Sequence, residues 1–208
     1  MYITDNCENF TKLLASAEPV PGGGGAAALC GALSVSLCSM AASLTKGKKK
    51  FAEFEGELCA VIEKCEELRN DFLKLINGDA EAFYPLSKAY SMPKDAAGYA
   101  EAMRTATYNA MLPPMEMMRC CLRASELMEE VFEGRCSALL ISDIGCAASL
   151  CRSAVKCAAM NVFVNTKMYR GEAEADSIEA EAKAILDAVV PGAEKIEAAV
   201  LSRLSEVK

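Results

Sequence analysis

Apolar residues recur at steps of three and four along most of the chain, and this period predicts α-helices. The clearest example is the stretch 51–76, in which Phe54, Leu58 and Val61 share one face and glutamates fill the other. No segment of strand length alternates apolar and polar residues, and no internal repeat is visible. We therefore predict an all-α fold, a multihelical bundle of long helices forming a single domain over residues 1–208.

Capping residues and helix breakers divide this pattern into segments. The predicted helices span residues 4–14, 25–45, 51–76, 80–90, 96–132, 138–168 and 172–207. Thr4 is the expected N-cap of the first helix and Gly47 the expected stop of the second. Asn77-Gly78 is expected to end the third helix, so that Asp79 caps the fourth. Bends or breaks are expected at Pro85, Pro113-Pro114 and Pro191-Gly192.

A glycine turn, residues 19–25, stands out from the helical pattern because it holds two prolines and four consecutive glycines. It leads into Ala26–Leu44, a run of 19 residues without a charged side chain. Backbone N–H groups at such a helix start can bind an anion or a flat ligand. Alternatively, the glycines only allow two helices to pack closely, and the sequence leaves both interpretations open.

The uncharged run Ala26–Leu44 is long enough to cross a membrane. However, it is rich in Ala, Gly and Ser, it stands alone, and basic residues flank it on one side only. We therefore predict a helix buried on all sides in a soluble bundle.

Eleven scattered cysteines form no Cys-x-x-Cys pair and no signal peptide precedes them, which favours reduced thiols in a cytoplasmic protein.

The charge balance and the absence of histidine restrict the chemistry. With 22 basic and 29 acidic residues the net charge is −7, which disfavours nucleic-acid partners. No histidine is present, so Ser-His-Asp and Cys-His catalysis are excluded and a metal site is not expected. Acid–base catalysis must then rely on carboxylates, lysines, tyrosines, cysteines or water.

The glycine turn does not match the known phosphate-binding loops. A P-loop needs Gly-Lys-Ser/Thr five residues after its first glycine, but Gly22 is followed there by Ala27-Ala28-Leu29. Gly22, Gly24 and Ala27 fit a loose Gly-x-Gly-x-x-Ala pattern, which has meaning only after a β-strand. The proline-rich segment before it cannot form a central strand. Nucleotide binding is therefore not predicted.

Several groups of residues, taken in chain order, resemble one known family. They are Pro21-Gly22-Gly23-Gly24, Thr45-Lys46-Gly47-Lys48-Lys49-Lys50-Phe51, Asp79-Ala80-Glu81-Ala82-Phe83, Tyr90-Ser91-Met92-Pro93-Lys94, Ser142-Asp143 and Asn161-Val162-Phe163-Val164-Asn165. Together they resemble the formiminotransferase-cyclodeaminase C-terminal domain and the bacterial methenyltetrahydrofolate cyclohydrolases of that family, over nearly the whole chain. One departure is Gly134-Arg135, where the family often has Gly-Asn.

The resemblance implies an all-helical homodimer that acts on one-carbon tetrahydrofolates. Family members either expel ammonia from formimino-tetrahydrofolate to close the methenyl bridge, or open that bridge with water to give formyl-tetrahydrofolate. The tetrahydrofolate derivative is the substrate, polyglutamylated forms among them, and no permanently bound cofactor is implied. Neither nucleic acid nor membrane is an expected partner.

Asp143 and Asp79 are the candidate catalytic residues, because a carboxylate tuned by burial can transfer protons near neutral pH. Asp143 is the only charged residue between Cys136 and Cys151, and its alternative explanation is helix capping or packing. The alternative explanation of Asp79 is its predicted position as an N-cap. The candidate substrate-binding residues are Pro21, Gly22, Gly23, Gly24, Lys48, Lys49, Lys50, Ser142, Asn161 and Asn165.

Helix geometry limits which of these candidates can meet within one chain. Asp143 and Asn161 share a helix face but lie ~27 Å apart along it. The three lysines are either a solvated basic turn or a site for the carboxylates of a folate tail. Gly25 and Lys48 are separated by ~35 Å of helix, so these lysines do not close a pocket with their own glycine turn. A second chain is expected to complete the site. A non-catalytic helical interaction module is the alternative that the amphipathic helices alone permit.

Overall fold

The computed structural model describes residues 6–205, which form helices and short connections with no β-strand. Six α-helices follow one another: α1 Cys7–Leu14, α2 Gly23–Thr45, α3 Glu55–Tyr90, α4 Tyr99–Phe132, α5 Ile141–Thr166 and α6 Ala173–Ser205. Short 3-10 turns, Lys49–Phe54, Ala138–Leu140 and Lys167–Tyr169, precede α3 and flank α5. The predicted all-α fold is confirmed.

The helices pack as a layer with one helix behind it. In the layer α2 lies between α3 and α5, and α6 packs on the other side of α5. Helix α4 lies behind this layer, where it contacts α3, α5, α6 and α2. The core between them is built mainly from Ala, Val, Ile, Cys and Met side chains.

Small side chains let the neighbours of α2 approach closely. A Cβ atom built on Gly31 would lie 2.4 Å from the ring of Phe72, so glycine is needed there for α3 to pack. On the other side, the hydroxyl of Ser34 donates a hydrogen bond to the Ala147 carbonyl at 3.0 Å. In the middle of α2, the small residues therefore allow close packing of the neighbouring helices.

The prediction that the uncharged helix is buried on all sides is wrong. Leu33 and Leu44 of α2 are 49% and 52% exposed, and Met160 and Val164 of α5 are also exposed. Both helices are long and apolar enough to span a membrane, and about half of each apolar window is buried against other helices. We call the exposed surface they share the α2–α5 face; it comprises Leu33, Leu37, Met40, Leu44, Cys146, Cys157, Met160 and Val164.

Helix α3 does not end where the sequence predicted. It continues without interruption through Asn77-Gly78, so Asp79 lies inside the helix and is not an N-cap. Gly78 is absent from the glycines with positive φ, and a helix C-terminal stop normally requires that conformation. Packing of the long helix against α2 and α4 outweighs the roughly 1 kcal/mol that an internal glycine costs.

The prolines also lie inside continuous helices. Pro85 in α3 is exposed, so water can solvate the carbonyl it leaves without an N–H partner. Pro114 frees the carbonyl of Ala110 in α4, and the side-chain amide of Asn165 donates to that oxygen at 3.5 Å. Helix α6 likewise runs through Pro191-Gly192. Of the two alternatives predicted at Pro113-Pro114, a break or a bend, the break is wrong, because α4 is one helix with an external donor to the freed carbonyl.

The first helix begins later than predicted. Asn6 is its N-cap, and the Asn6 side chain accepts a hydrogen bond from the Asn9 N–H at 2.8 Å. Thr4, the residue expected in this role, lies outside the described residues. At the end of α2 the prediction is confirmed, because Gly47 follows the helix with φ of +78°.

Candidate functional site

The glycine turn places a carboxylate against the start of α2. Pro21 is buried, follows a cis peptide bond, and packs against Gly25. A Cβ atom built on Gly24 would lie 2.1 Å from Oδ1 of Asp79, so no other residue fits at that position without moving the carboxylate. Glycine is therefore required here for close approach of α3.

Asp79 has the properties of a group that exchanges protons near neutral pH. The backbone N–H of Gly25 donates a hydrogen bond to the carboxylate, which favours the charged form. Burial between α2 and α3 opposes ionisation more strongly and raises the pKa of Asp79 from 3.8 to about 6. The carboxylate and its protonated form are thus both accessible within one pH unit of neutrality.

Asn161 of α5 lies on the other side of the glycine turn. A Cβ atom built on Gly23 would be 3.4 Å from Nδ2 of Asn161, and this amide donates to the Cys157 carbonyl at 2.8 Å. The start of α2 therefore brings together three predicted site residues, Gly24, Asp79 and Asn161. These residues come from α2, α3 and α5, three helices that lie side by side in the layer.

Asn165 holds the helices together. Its amide nitrogen donates to the carbonyls of Asn161 at 3.0 Å and of Ala110 at 3.5 Å, and the residue is buried. These bonds fix the end of α5 on α4, behind the glycine turn. Asn165 can thus support the position of Asn161 without itself facing a ligand.

A second group of predicted residues lies at the opposite end of α2. The hydroxyl of buried Thr45 accepts a hydrogen bond from the Ser137 N–H at 3.1 Å, which holds the loop before α5 in place. The adjacent thiol of Cys136 has a pKa raised by burial, raised further by Asp143 and lowered by Lys48. Both charged residues therefore lie near this thiol.

Asp143 lies half-buried in the first turn of α5, where the helix dipole stabilises a negative charge. The N-cap of α5 is Leu140, so Asp143 is not a capping residue. Ser142 beside it is exposed and lines an apolar groove between α5 and α6 with a volume of about 520 Å³.

Cys136 was missed by the sequence analysis, because nothing distinguishes it from ten other scattered cysteines.

The two groups cannot act on the same atom within one chain. Helix α2 has 23 residues, so its ends are ~34 Å apart. Gly24, Asp79 and Asn161 lie at one end, whereas Lys48 and Asp143 lie at the other. The predicted separation of Asp143 from Asn161 is confirmed, since α5 is one continuous helix.

Among the described residues, no group of three or more Cys, Asp or Glu side chains is placed to hold a metal ion.

Similarity to known proteins assigns the chain to a family. The model of the family described as formiminotransferase-cyclodeaminase matches residues 6–184. The chain belongs to the formiminotransferase-cyclodeaminase family. A methenyltetrahydrofolate cyclohydrolase of Methylorubrum extorquens is 40% identical over 171 residues, which cover 78% of this chain and 80% of that protein.

Other members of the formiminotransferase-cyclodeaminase family extend the comparison. The formimidoyltransferase-cyclodeaminase of Sus scrofa is 25% identical over 94% of this chain, which spans 36% of that longer protein. The crystal structure of a formiminotetrahydrofolate cyclodeaminase from Thermotoga maritima superposes with a TM-score of 0.83 at 26% identity. That superposition covers 95% of this chain and 98% of the other.

Proposed function

We propose that this protein is a methenyltetrahydrofolate cyclohydrolase, which adds water to methenyl-tetrahydrofolate and releases formyl-tetrahydrofolate and a proton. Its class, an enzyme of folate one-carbon chemistry, follows from its family. The observation that carries the proposal is Asp79, a carboxylate with a pKa of about 6 at the glycine turn. The choice of reaction is supported by the 40% identity to a cyclohydrolase over most of both chains.

Asp79 is suited to the proton transfers of this reaction. Water attacks the carbon that bridges two nitrogens, and the carboxylate accepts the proton that the attacking water loses. The resulting tetrahedral carbon expels one nitrogen, which takes back the proton held by Asp79. As this bond breaks, the hydroxyl group on the carbon loses its own proton to solvent and becomes the formyl carbonyl. The N–H groups at the start of α2 and the amide of Asn161 surround the same point and can hold the substrate's polar atoms.

A cyclodeaminase is the second candidate, favoured by the structural similarity to the Thermotoga maritima protein. In that reaction the second bridging nitrogen, which is outside the ring that carries the formimino group, attacks the formimino carbon, and ammonia leaves after its nitrogen is protonated. The two reactions share the tetrahedral carbon and the need for one group that gives and takes a proton. The same placement of Asp79 serves both, so the substrate must be tested directly.

We further propose that the active form is a homodimer in which two chains share each site. The α2–α5 face is apolar and exposed, and α2 carries no charge along it. If two such faces pack about a two-fold axis with their α2 helices antiparallel, Lys48 and Asp143 of one chain approach the glycine turn of the other. Lys48, Lys49 and Lys50 would then bind the glutamate carboxylates of the folate, polyglutamylated forms included.

The decisive assay follows the near-ultraviolet chromophore of methenyl-tetrahydrofolate with purified protein against a buffer blank. Faster loss of the chromophore than in buffer is expected from a cyclohydrolase. Formimino-tetrahydrofolate with an ammonia assay separates the cyclodeaminase. If neither substrate is turned over and no reduced folate binds, the enzyme proposal fails and a non-catalytic interaction module takes its place.

A further inference from the structure

A cleft of about 700 Å³ opens at the end of α2 that carries the lysine turn. Four parts of the chain form its walls: the turn before α3, the end of α4, the loop before α5 and the last turns of α6. Its lining includes two cations, Lys50 and Arg203, and one carboxylate, Glu133. Phe51 and Phe132 supply apolar surface beside these charges.

Arg203 differs from the other arginines of this acidic protein. Seven of the eight arginines have a carboxylate partner at 3.7 Å or less. Within the described residues, no carboxylate lies at such a distance from Arg203. No carboxylate of residues 6–205 therefore occupies the N–H groups of Arg203, which can donate to a ligand.

The guanidinium of Arg203 is nevertheless held in place. It lies over the ring of Phe132, with Cζ 4.7 Å from the ring centroid, and this cation–π contact favours its position in the cleft. Lys50 similarly lies 5.7 Å from the ring of Phe51. Two cations positioned by aromatic rings on opposite elements form a preorganised site for an anion, because little side-chain freedom is lost on binding.

The chemistry of the cleft fits an aromatic group that carries carboxylates. A guanidinium fork binds a carboxylate with two parallel hydrogen bonds, and an ammonium adds a second contact without a fixed direction. The apolar part of the lining suits the ring that precedes the glutamate in a folate. Arg203 lies beyond residue 184, where the match to the family model ends.

We propose that Arg203 and Lys50 form a carboxylate subsite that binds the glutamate end of the substrate in this cleft. The inference rests on the proposed folate function. Because the cleft lies at the end of α2 opposite Asp79, the reacting end of the same folate lies at the glycine turn of a second copy. Arg203 is a substrate-positioning residue in this arrangement, whereas Asp79 performs the proton transfer.

The test is calorimetric titration of the full chain with N-(4-aminobenzoyl)-L-glutamate, the half of a folate that lacks the reacting ring. We expect Arg203→Gln to weaken binding about tenfold or more, and Arg203→Lys to restore part of the affinity. Arg170→Gln is the matched control, because Arg170 is exposed and its carboxylate partner is Glu179. In turnover, Arg203→Gln is expected to raise KM for methenyl-tetrahydrofolate and to leave kcat within about twofold.

The outcomes separate this inference from the proposed function. Equal affinity of the probe for wild type and Arg203→Gln, or no binding to wild type, overturns the subsite. A fall in kcat with unchanged KM in Arg203→Gln also overturns it, because the residue would not then be acting on substrate binding. Arg203-dependent binding of the probe without turnover of any folate overturns the proposed function alone.

Discussion

At the scale of single residues, the chemistry of the glycine turn depends on one contact. Asp79 reaches the start of α2 only because Gly24 has no side chain. The same approach buries the carboxylate and raises its pKa to about 6. Burial of this carboxylate lowers the stability of the folded protein, but it also gives Asp79 a pKa suited to proton transfer.

Replacement of Asp79 by asparagine is expected to remove turnover and to stabilise the protein above pH 6. The folded-state pKa lies above the unfolded value of 3.8, so the folded state binds more protons and stability falls as pH rises from about 4 to about 6. Asparagine cannot ionise, so the Asp79→Asn variant does not lose stability in this way. The free energy of unfolding of the variant at pH 7 should exceed that of the wild-type protein by about 1–3 kcal/mol. Urea unfolding at several pH values measures this difference.

The control for that experiment is Asp95→Asn, since Asp95 is exposed in the turn before α4. Its stability should follow the wild-type curve across the same range. If Asp79→Asn also followed that curve between pH 4 and pH 7, the raised pKa of Asp79 would be contradicted.

Replacement of Gly24 by alanine is expected to reduce kcat/KM by about a hundredfold or more. The added methyl group would lie 2.1 Å from Oδ1 of Asp79 and must displace the carboxylate from its position. Gly56→Ala is the control, because a Cβ atom there meets nothing within 4 Å. Wild-type kinetics in Gly24→Ala would show that the position of Asp79 is not critical.

At the scale of the elements, the continuity of α3 decides where Asp79 points. A helix that ended at Asn77-Gly78 would make Asp79 a cap at the surface, whereas the 36-residue helix presents it to α2. Pro114 and Asn165 show the same dependence on neighbours, because α4 stays continuous where α5 supplies a donor to the freed carbonyl.

Replacement of Gly78 by alanine tests this continuity. Alanine in a helix interior is favoured over glycine, and no atom obstructs a Cβ at this position, so Gly78→Ala should stabilise the protein by about 0.5–1 kcal/mol. The midpoint of urea unfolding measures the change. Destabilisation by a similar amount would instead indicate a helix stop with positive φ at Gly78.

At the scale of the whole molecule, the two groups of site residues lie at opposite ends of α2, and the α2–α5 face is left exposed. One dimer would account for both observations, since it covers the apolar face and joins the two half-sites. We therefore expect Leu33→Glu together with Met40→Glu to give monomers in sedimentation equilibrium and to abolish turnover. Tyr90→Glu, on the exposed end of α3, should change neither.

Mixing two variants, each nearly inactive at methenyl-tetrahydrofolate concentrations far below KM, tests whether the sites are shared. One variant carries Asp79→Asn, and the other carries Lys48→Gln, Lys49→Gln and Lys50→Gln together. Half of the re-formed dimers are mixed, and each mixed dimer holds one intact site of two, so about a quarter of wild-type activity should return. No recovery after verified subunit exchange would show that each chain builds its site alone.

The local sequence pattern by itself determined the helical class, because the period of apolar residues records which face of each segment is buried. It also identified the glycine turn and its lysine counterpart, since glycine runs and charge runs are visible without a structure. The end of α2 at Gly47 was predictable for the same reason, because the positive φ it adopts is a local preference.

Only the tertiary structure decided how these parts meet. Gly78 and the prolines carry strong local signals for a break, yet packing over whole helices overrides costs of a few kcal/mol. The burial of Asp79 depends on Gly24, 55 residues earlier in the sequence, and the bond from Asn165 depends on Ala110, 55 residues before it. Such contacts are set by which helices become neighbours, and no local pattern records that choice.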